Sequence, residues 1–363
     1  MAEAQISWLQ KLEEQLDVDV DWMDPEYIKS LPIKPHDQTS NQIFVDVQMS
    51  NESNRELLAQ VANELKDEGW LAIYTRMACL MCKKNIDLIS GRVLLQTSPS
   101  EAYNKEKTLE HARLYDAEFA RVGITRDRYC IKIPSTGPGL CAAEVLSREG
   151  IPTLGTALFG LPQAVAASQA GCIYISPYFN EVRTHKDRSV WTDYEDPATE
   201  SPMSARVFNI LEVYRRLYKE TGKEQPFLKN ASFISVKEAM ACAHLGCHSA
   251  TLENKTLDEL ALLVYDSTKQ PGEVAAKPIH VYKSPNPTAE RIQKLARTDP
   301  LSPGGWNDVV ADTSIDYLAH NGAALDDAIA ADAVATQRLK DALDVFVKAE
   351  QRSKARIEEA LKL

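Results

Sequence analysis

The sequence lacks any apolar run near the roughly 20 residues that a membrane-spanning helix needs. Residues 1–16 carry acidic side chains and none of the continuous apolar core of a secretory signal. The seven cysteines are an odd number, and most of them stand inside apolar stretches. These absences argue against a membrane protein and against a disulfide framework, and they favour a reducing, cytoplasmic compartment.

Positive charge is also scarce. The chain has 41 Lys and Arg against 52 Asp and Glu, which leaves a net charge of −11. An acidic balance argues against nucleic acid or an anionic membrane as the main partner. Repeats and low-complexity segments are absent as well, so the sequence predicts an ordinary globular chain whose 363 residues suit one large α/β barrel.

Strand-like apolar runs alternate with helical patterns over most of the chain. The predicted strands are Asp17–Trp22, Gln42–Val47 or the segment just before it, Gly91–Gln96, Tyr129–Pro134, Thr153–Leu158, Gly171–Pro177, Phe227–Phe233 and Cys247–Leu252. Alternating strands and helices imply parallel strands joined by crossover helices. Eight such units would close a single (β/α)8 TIM barrel.

Three further segments complete the predicted single domain of residues 1–363. An amphipathic helix is predicted over Ala2–Leu16, with its leucines on one face. Residues 268–306 are rich in Pro, Ser and Lys, which indicates a loop-rich excursion. Residues 323–363 carry a long helical pattern, predicted to pack across the barrel or against a partner subunit.

Lys132 lies in the middle of the predicted strand Tyr129–Pro134. Side chains alternate along a strand, so Lys132 faces opposite to Ile131 and Ile133. If the isoleucines face the helices, the lysine points into the barrel, where a desolvated amine is partly neutral and able to form an imine with a ketone. The alternative is a lysine that reaches solvent at the strand end.

The sequence around Lys132 resembles the transaldolase family. The run from Ile131 to Tyr178 contains a strand lysine, a helix with A-A-E, a strand with threonine, a helix with F-x-x-x-Q-A and a strand with I-S-P. Upstream, His36–Asn41 reads HDQTSN and resembles D-x-T-T-N, and Asn230–Phe233 resembles G-A-S-F. The resemblance implies a (β/α)8 barrel of the class I aldolase type, with its site at the carboxyl ends of the strands and with neither metal nor cofactor.

The resemblance also implies catalytic roles for matched residues. Lys132 corresponds to the Schiff-base lysine, and Thr156 to the threonine that holds the catalytic water. Asp21 corresponds to the aspartate that exchanges protons with substrate hydroxyls. The segment between Asp21 and Asp37 differs from the family's common form by a short insertion, so Asp19 is an alternative candidate for this role.

Substrate contacts are implied at three more positions. Asn41 corresponds to an asparagine that hydrogen-bonds a substrate hydroxyl, and Ser176 to a serine of the substrate pocket. Ser232, in the G-A-S-F-like strand, is a third candidate for substrate binding.

Two departures from the transaldolase pattern resemble fructose-6-phosphate aldolase, the branch that releases free dihydroxyacetone. Gln96 replaces a glutamate, and Tyr178 replaces a phenylalanine. A glutamine cannot act as a base, whereas a tyrosine hydroxyl can position water or a proton. Both residues are therefore catalytic candidates, and they favour aldol cleavage or addition over strict transfer.

The positions of the family's two phosphate-binding arginines hold Glu181 and Ile234. A carboxylate in place of a charge-assisted arginine contact repels a phosphate. Arg183, His185 and Lys186 lie close enough in sequence to compensate, and Arg183 is the candidate substrate ligand among them. The expected substrate is therefore a small, non-standard carbonyl compound, with unphosphorylated compounds among the candidates.

Two alternatives remain open from the sequence. One is a standard pentose-phosphate transaldolase, acting on sedoheptulose 7-phosphate and glyceraldehyde 3-phosphate, with its phosphate anchor moved. The other is an inactive barrel that acts as a binding protein. A homodimer is expected by analogy with the family alone.

Overall fold

The computed structural model describes residues 6–269, 274–302, 304–306 and 311–362. Parts of the predicted helix Ala2–Leu16, of the excursion at 268–306 and of the segment 323–363 lie outside these residues.

The described residues alternate between strands and helices. The strands are β1 Asp17–Val20, β2 Val93–Gln96, β3 Tyr129–Pro134, β4 Thr153–Leu158, β5 Tyr174–Pro177, β6 Phe227–Asn230 and β7 Ser249–Leu252. The α-helices are α1 Trp8–Gln15, α2 Pro25–Ser30, α3 Gln42–Ser50, α4 Arg55–Glu64, α5 Trp70–Asn85, α6 Lys105–Arg121, α7 Gly137–Arg148, α8 Leu161–Gln169, α9 Pro197–Glu200, α10 Pro202–Thr221, α11 Val236–Leu245, α12 Asn254–Leu262, α13 Glu290–Gln293, α14 Ala319–Ala331 and α15 Ala333–Ala360. Short 3₁₀ helices cover Glu52–Asn54, Ile86–Leu88, Pro99–Glu101, Val182–His185 and Arg188–Val190.

The strands form one parallel sheet in the order β1-β7-β6-β5-β4-β3-β2. Gln38 closes this sheet into a barrel, because it forms parallel bridges with Val20 of β1 and Val93 of β2. Its backbone N–H donates to the carbonyl of Arg92 at 3.0 Å, and its carbonyl accepts from the N–H of Leu94 at 2.9 Å. A one-residue bridge thus stands in the eighth strand position, and the predicted (β/α)8 architecture is confirmed.

The strand predicted over Gln42–Val47 is wrong, because these residues form helix α3. Asn41 begins the helix: its side-chain oxygen accepts from the N–H of Ile43 at 2.9 Å, as an N-cap residue does. The second option, the segment just before Gln42, contains the bridge at Gln38. The remaining predicted strands occur with bounds shifted by no more than a few residues.

The single C-terminal helix predicted over 323–363 is divided in two among the described residues. Asp332 separates α14 from α15, and its carboxylate accepts from the N–H groups of Val334 and Ala335 at 3.1 and 3.0 Å. A new N-cap therefore restarts the helix. In the excursion at 268–306, the described residues contain only the four-residue helix α13.

One layer of side chains inside the barrel lies beneath the carboxyl ends of the strands. This layer is apolar on one side of the barrel and charged on the other. Leu94, Cys130, Leu154 and Tyr174 form an apolar cluster separate from the main core. Asp19, Asp37 and Lys229 are also buried here. Because side chains alternate along a strand, the residues two positions later face the same interior. This places Gln96, Lys132, Thr156, Ser176 and Asp21 one layer nearer to the carboxyl ends.

The seven cysteines are free thiols, and all are buried. Among the residues that the structure describes, no helix combines the length and the apolar composition that crossing a membrane requires.

Candidate active site

A cavity of about 420 Å³ opens at the carboxyl ends of the strands. It gathers five of the predicted site residues, which are Asp21, Asn41, Lys132, Tyr178 and Ser232. The rest of its wall combines apolar and charged side chains, namely Ile43, Phe44, Val182, His185, Lys186, Arg188, Ala231, Phe233, Thr251, Glu253, Lys255, Val345 and Phe346. Val345 and Phe346 come from α15, so the C-terminal helix forms part of the cavity wall.

Lys132 projects from β3 into this cavity and is only 4% exposed. Burial lowers the pKa of its ammonium group, while the negative charge of Asp21 opposes that shift. A lowered pKa increases the fraction of neutral amine near pH 7, and the neutral amine is the form that attacks a carbonyl carbon. The alternative of a solvent-reaching lysine does not hold.

Asp21 also lines the cavity, just beyond the end of β1. Its carboxylate accepts a short hydrogen bond from the hydroxyl of Thr39. Burial raises the pKa of Asp21, and Lys132 and Thr39 act against that rise. A carboxyl group with a raised pKa exchanges protons more readily near neutral pH, which suits a proton shuttle beside the amine.

Asp19, the rival for that role, does not line the cavity. Its carboxylate accepts from the ammonium of Lys229 at 2.9 Å and from the hydroxyl of Ser249 at 2.8 Å. The geometry therefore favours Asp21 as the carboxylate available to a substrate.

Three further predicted residues lie on or just after β2, β4 and β5, and of these Tyr178 lines the cavity whereas Gln96 and Thr156 do not. The hydroxyls of Thr156 and Tyr178 are hydrogen-bonded at 3.1 Å, and burial raises the pKa of the Tyr178 phenol. Gln96 is paired in register with Lys132, and neither of its buried amide atoms has a hydrogen-bond partner among the described residues. The Gln96 amide and the Thr156–Tyr178 hydroxyl pair thus add hydrogen-bonding groups to the part of the barrel that holds Lys132.

Ser176 and Arg183 are not brought to the cavity wall. Ser176 is buried on β5, 3% exposed, and lies outside the cavity lining. The guanidinium of Arg183 is half-exposed and lies 2.6 Å from the carboxylate of Glu181 and 3.4 Å from that of Asp341. Because these acidic neighbours balance the positive charge of Arg183, its position does not support the prediction that it contacts the substrate.

Sequence reasoning missed Arg188, Glu253 and Lys255 of the cavity, whereas it named Lys186 as able to compensate for the absent phosphate-binding arginines. Lys186, Arg188 and Lys255 line the mouth, and within the described part of the chain none of them has an ion-pair partner. Glu253 and Lys255 follow directly after β7. Because residues that follow the strands of such a barrel form its site, their position was the signal that pointed to them.

The described residues contain one cluster with metal-ligand spacing, formed by Asp19, His36 and Asp37, whose ligand atoms lie within 4.8 Å of one another. The ammonium of Lys229 lies 2.9 Å from both carboxylates. Although burial opposes ionisation, Lys229 and His36 hold the pKa of Asp37 below its ordinary value. The two carboxylates also raise the pKa of His36, although burial acts in the opposite direction. Lys229 and His36 therefore balance the two carboxylates, and the cluster is an ion-pair network.

Comparison with known proteins gives one family and several relatives. The family described as Transaldolase/Fructose-6-phosphate aldolase matches residues 18–357. A transaldolase from Synechocystis sp. is 31% identical over 238 residues, which cover 62% of this chain and 58% of the relative. A transaldolase from Haemophilus influenzae is 32% identical over 223 residues, or 58% of this chain and 67% of the relative.

A transaldolase from Rhizobium rhizogenes is 31% identical over 238 residues, or 63% of this chain and 70% of the relative. The chain spans 58% of the length of the Synechocystis relative.

Proposed function

Because the chain belongs to the transaldolase/fructose-6-phosphate aldolase family, we propose that it is a Schiff-base enzyme that makes or breaks a C–C bond next to a ketone. One observation carries this proposal. The amine of Lys132 is buried at the cavity, has a lowered pKa, and lies in the electrostatic field of Asp21.

The proposed reaction uses the groups around this amine in order. The neutral nitrogen of Lys132 attacks the ketone carbonyl, and Asp21 gives the oxygen a proton to form a carbinolamine. Loss of water, positioned by the Thr156–Tyr178 hydroxyl pair, yields the iminium. As the adjacent C–C bond breaks, its electrons pass through the iminium to the nitrogen and leave an enamine, while the Asp21 carboxylate takes the proton of the substrate hydroxyl, whose O–H electron pair becomes the second bond of the aldehyde carbonyl. Addition to an aldehyde is the reverse step. Asn41 is proposed to bind a substrate hydroxyl.

Two residues support aldol cleavage or addition over strict transfer of the ketone fragment to an acceptor aldose. Gln96 is a neutral amide beside Lys132 and cannot serve as a base. Tyr178 offers a hydroxyl to the same region at 3.1 Å from Thr156.

The proposed substrate is a non-standard ketone, with unphosphorylated ketones among the candidates. Glu181 and Ile234 stand where the family carries phosphate-binding arginines, and Arg183 is held by Glu181 and Asp341. Ser176, although buried beneath the cavity, remains a candidate for shaping the bound substrate. Ser232 is proposed to contact the substrate directly.

A standard pentose-phosphate transaldolase is the second candidate, favoured by one observation. Lys186, Arg188 and Lys255 line the cavity mouth without ion-pair partners among the described residues, so an anionic group is able to bind there. Turnover of sedoheptulose 7-phosphate that is lost when all three are changed to Gln, and retained in Arg183→Gln, would establish this candidate.

Lys132→Met tests the proposal itself. Methionine keeps the length of the side chain but removes the nucleophile, so a folded variant should show no turnover with any ketone that the unaltered protein uses. Turnover by a folded Lys132→Met protein would contradict the Schiff-base mechanism.

We also propose that the protein works in the cytoplasm and forms a homodimer. The seven free thiols support a reducing compartment. The dimer rests on family analogy, and light scattering at several concentrations tests it.

A further inference from the structure

One side of the active-site cavity is lined by apolar side chains that the proposed reaction does not use. They are Ile43, Phe44, Val182, Phe233, Val345 and Phe346, and we call them the apolar wall. Its aromatic members are nearly buried, since Phe44 is 7% exposed, Phe233 5% and Phe346 3%. Apolar surface of this kind favours a ligand group that gains free energy by leaving water.

The C-terminal helix α15 connects the parts of this wall. It packs on α3, which carries Ile43 and Phe44, and on the 3₁₀ helix Val182–His185. Its own Val345 and Phe346 line the same cavity. The helix therefore joins side chains from two separate loops of the barrel mouth into one surface.

Ion pairs fix α15 against the loop that follows β5. The Arg183 guanidinium lies 2.6 Å from the Glu181 carboxylate and 3.4 Å from the Asp341 carboxylate of α15. Residues four positions apart share a face of a helix, so Val345 follows Asp341 on the side of α15 that meets this loop. Glu181 is outside the cavity lining, and the next residue, Val182, belongs to the wall.

The loop that follows β6 is arranged in the same way. Ile234 lies outside the cavity lining, and its backbone N–H donates to the carboxylate of Glu238 at 2.6 Å. Phe233 lines the cavity and packs on Phe179, with ring centroids 5.7 Å apart. Each of these two loops therefore presents an apolar side chain to the cavity.

The apolar wall lies farther out than the reacting amine. Lys132 is part of β3, whereas Val182 and Phe233 come after the carboxyl ends of β5 and β6, and Val345 comes from the helix at the mouth. Residues that follow the strands form the outer part of a barrel site. With the ketone at Lys132, the rest of a substrate extends outwards along this wall.

The cations of the cavity are placed differently. Lys186, Arg188 and Lys255 are exposed, so water and salt screen their attraction for an anion. The apolar wall is removed from water, and a phosphate packed against it would lose its hydration without gaining a charged partner. The wall and the cations therefore favour different substrates.

Resting on the proposed function, we infer that the aldehyde fragment of the substrate carries an apolar substituent, an alkyl chain or an aromatic ring, that packs against the apolar wall. Val182 and Val345 are specificity-determining residues for this fragment. Both are half-buried and line the cavity, so part of each side chain faces the space that the substituent occupies.

A series of aldehydes tests this inference. The protein would condense dihydroxyacetone with propanal, butanal, pentanal, glyceraldehyde and glyceraldehyde 3-phosphate, and kcat/KM would be measured for each aldehyde. The test variant is the double variant Val182→Thr/Val345→Thr, in which a hydroxyl replaces a methyl group of similar size. Val347→Thr is the matched control, because Val347 lies on the same helix but outside the cavity lining.

We expect kcat/KM to rise about fourfold for each methylene from propanal to pentanal, the effect of burying one methylene. Pentanal should exceed glyceraldehyde 3-phosphate. The ratio of pentanal to glyceraldehyde should fall by about fivefold or more in the double variant, because hydroxyls without partners oppose burial of an alkyl chain. Val347→Thr should keep this ratio within about twofold. Each ratio is taken within one protein, so partial loss of folding does not change it.

Three results would overturn this inference. They are a rate that does not rise along the alkyl series, a preference for glyceraldehyde 3-phosphate, and a ratio that is unchanged in the double variant. The second of these would assign the mouth to an anionic group.

A separate measurement distinguishes this inference from the proposed function. If borohydride traps dihydroxyacetone on Lys132 but no apolar aldehyde gives product, the inference fails and the proposed function stands. If no ketone is trapped on Lys132, the proposed function fails and the inference fails with it.

Discussion

Lys229→Met should destabilise the folded protein strongly, because Lys229 is one of two cations beside the buried Asp19 and Asp37 carboxylates, and the other, His36, can balance only one of them. The Lys229 ammonium lies 2.9 Å from each carboxylate, and all three side chains are at most 3% exposed. Without this charge, one buried carboxyl must take up a proton when the chain folds.

The magnitude follows from that protonation. Asp37 has an ordinary pKa of 3.8, and protonating such a group at pH 7 costs about 4 kcal/mol at about 1.4 kcal/mol per pH unit. Losses of about 3–5 kcal/mol are typical when one partner of a buried ion pair is removed. Both arguments give a loss of about 4 kcal/mol in the free energy of unfolding.

The sign of the pH dependence is a further check. In the unaltered protein the pKa of Asp37 is lowered, so its contribution to stability is present above pH 3.8 and is lost as the pH falls. In Lys229→Met a carboxyl pKa is raised, so the variant is penalised above pH 3.8. The stability difference should therefore shrink as the pH falls, by about 1.4 kcal/mol per unit between pH 7 and pH 5.

Urea unfolding at pH 7, 6 and 5 measures this difference. Lys237→Met is the control, since Lys237 pairs at the surface with Asp193 at 2.8 Å, and such pairs contribute about 0–1 kcal/mol. A Lys229→Met protein within about 1 kcal/mol of the unaltered one at pH 7 would refute the reasoning, and so would a difference that is constant across pH.

Three more predictions concern the cavity. Thr156→Val should slow formation of the borohydride-trapped adduct by about 100-fold, the lower end of a general acid–base effect, and an unchanged rate would remove Thr156 from the imine step. The rate of borohydride trapping should rise with pH, because the neutral fraction of Lys132 increases. The rate should level off below pH 10.5, because burial lowers the pKa of Lys132 from its ordinary value of 10.5. A plateau reached only above pH 10.5 would contradict the burial argument. Phe346→Ala should lower the free energy of unfolding by about 3–5 kcal/mol, because Phe346 is 3% exposed. Urea unfolding measures this, and a loss below about 1 kcal/mol would contradict the role of Phe346 in packing α15 against the barrel.

The place of Lys132 was predictable because a strand fixes the direction of every second side chain. Gln96 and Thr156 were named through the family resemblance alone, and the alternation along β2 and β4 places them in the same layer of the barrel as Lys132. The helix at Gln42 was missed because Ile43, Phe44 and Val45 suit a strand, whereas the capping contact of Asn41 decides the structure locally.

The loop residues of the cavity were harder to predict. His185 and Glu253 are far apart in sequence, and only the neighbouring positions of β5, β6 and β7 bring them together. Arg183 illustrates the opposite error: its charge and spacing suited a phosphate, but Glu181 and Asp341 already bind it. Proximity in sequence does not reveal which acidic residues form ion pairs with a given cation.

Borohydride trapping followed by peptide mapping tests the central claim most directly. The protein would be reduced with dihydroxyacetone, with fructose 6-phosphate and with a set of unphosphorylated ketones, and its intact mass measured each time. A single adduct on Lys132, present with unphosphorylated ketones and absent from Lys132→Met, is the predicted result. No adduct with any ketone, or an adduct on another lysine, would contradict the Schiff-base assignment.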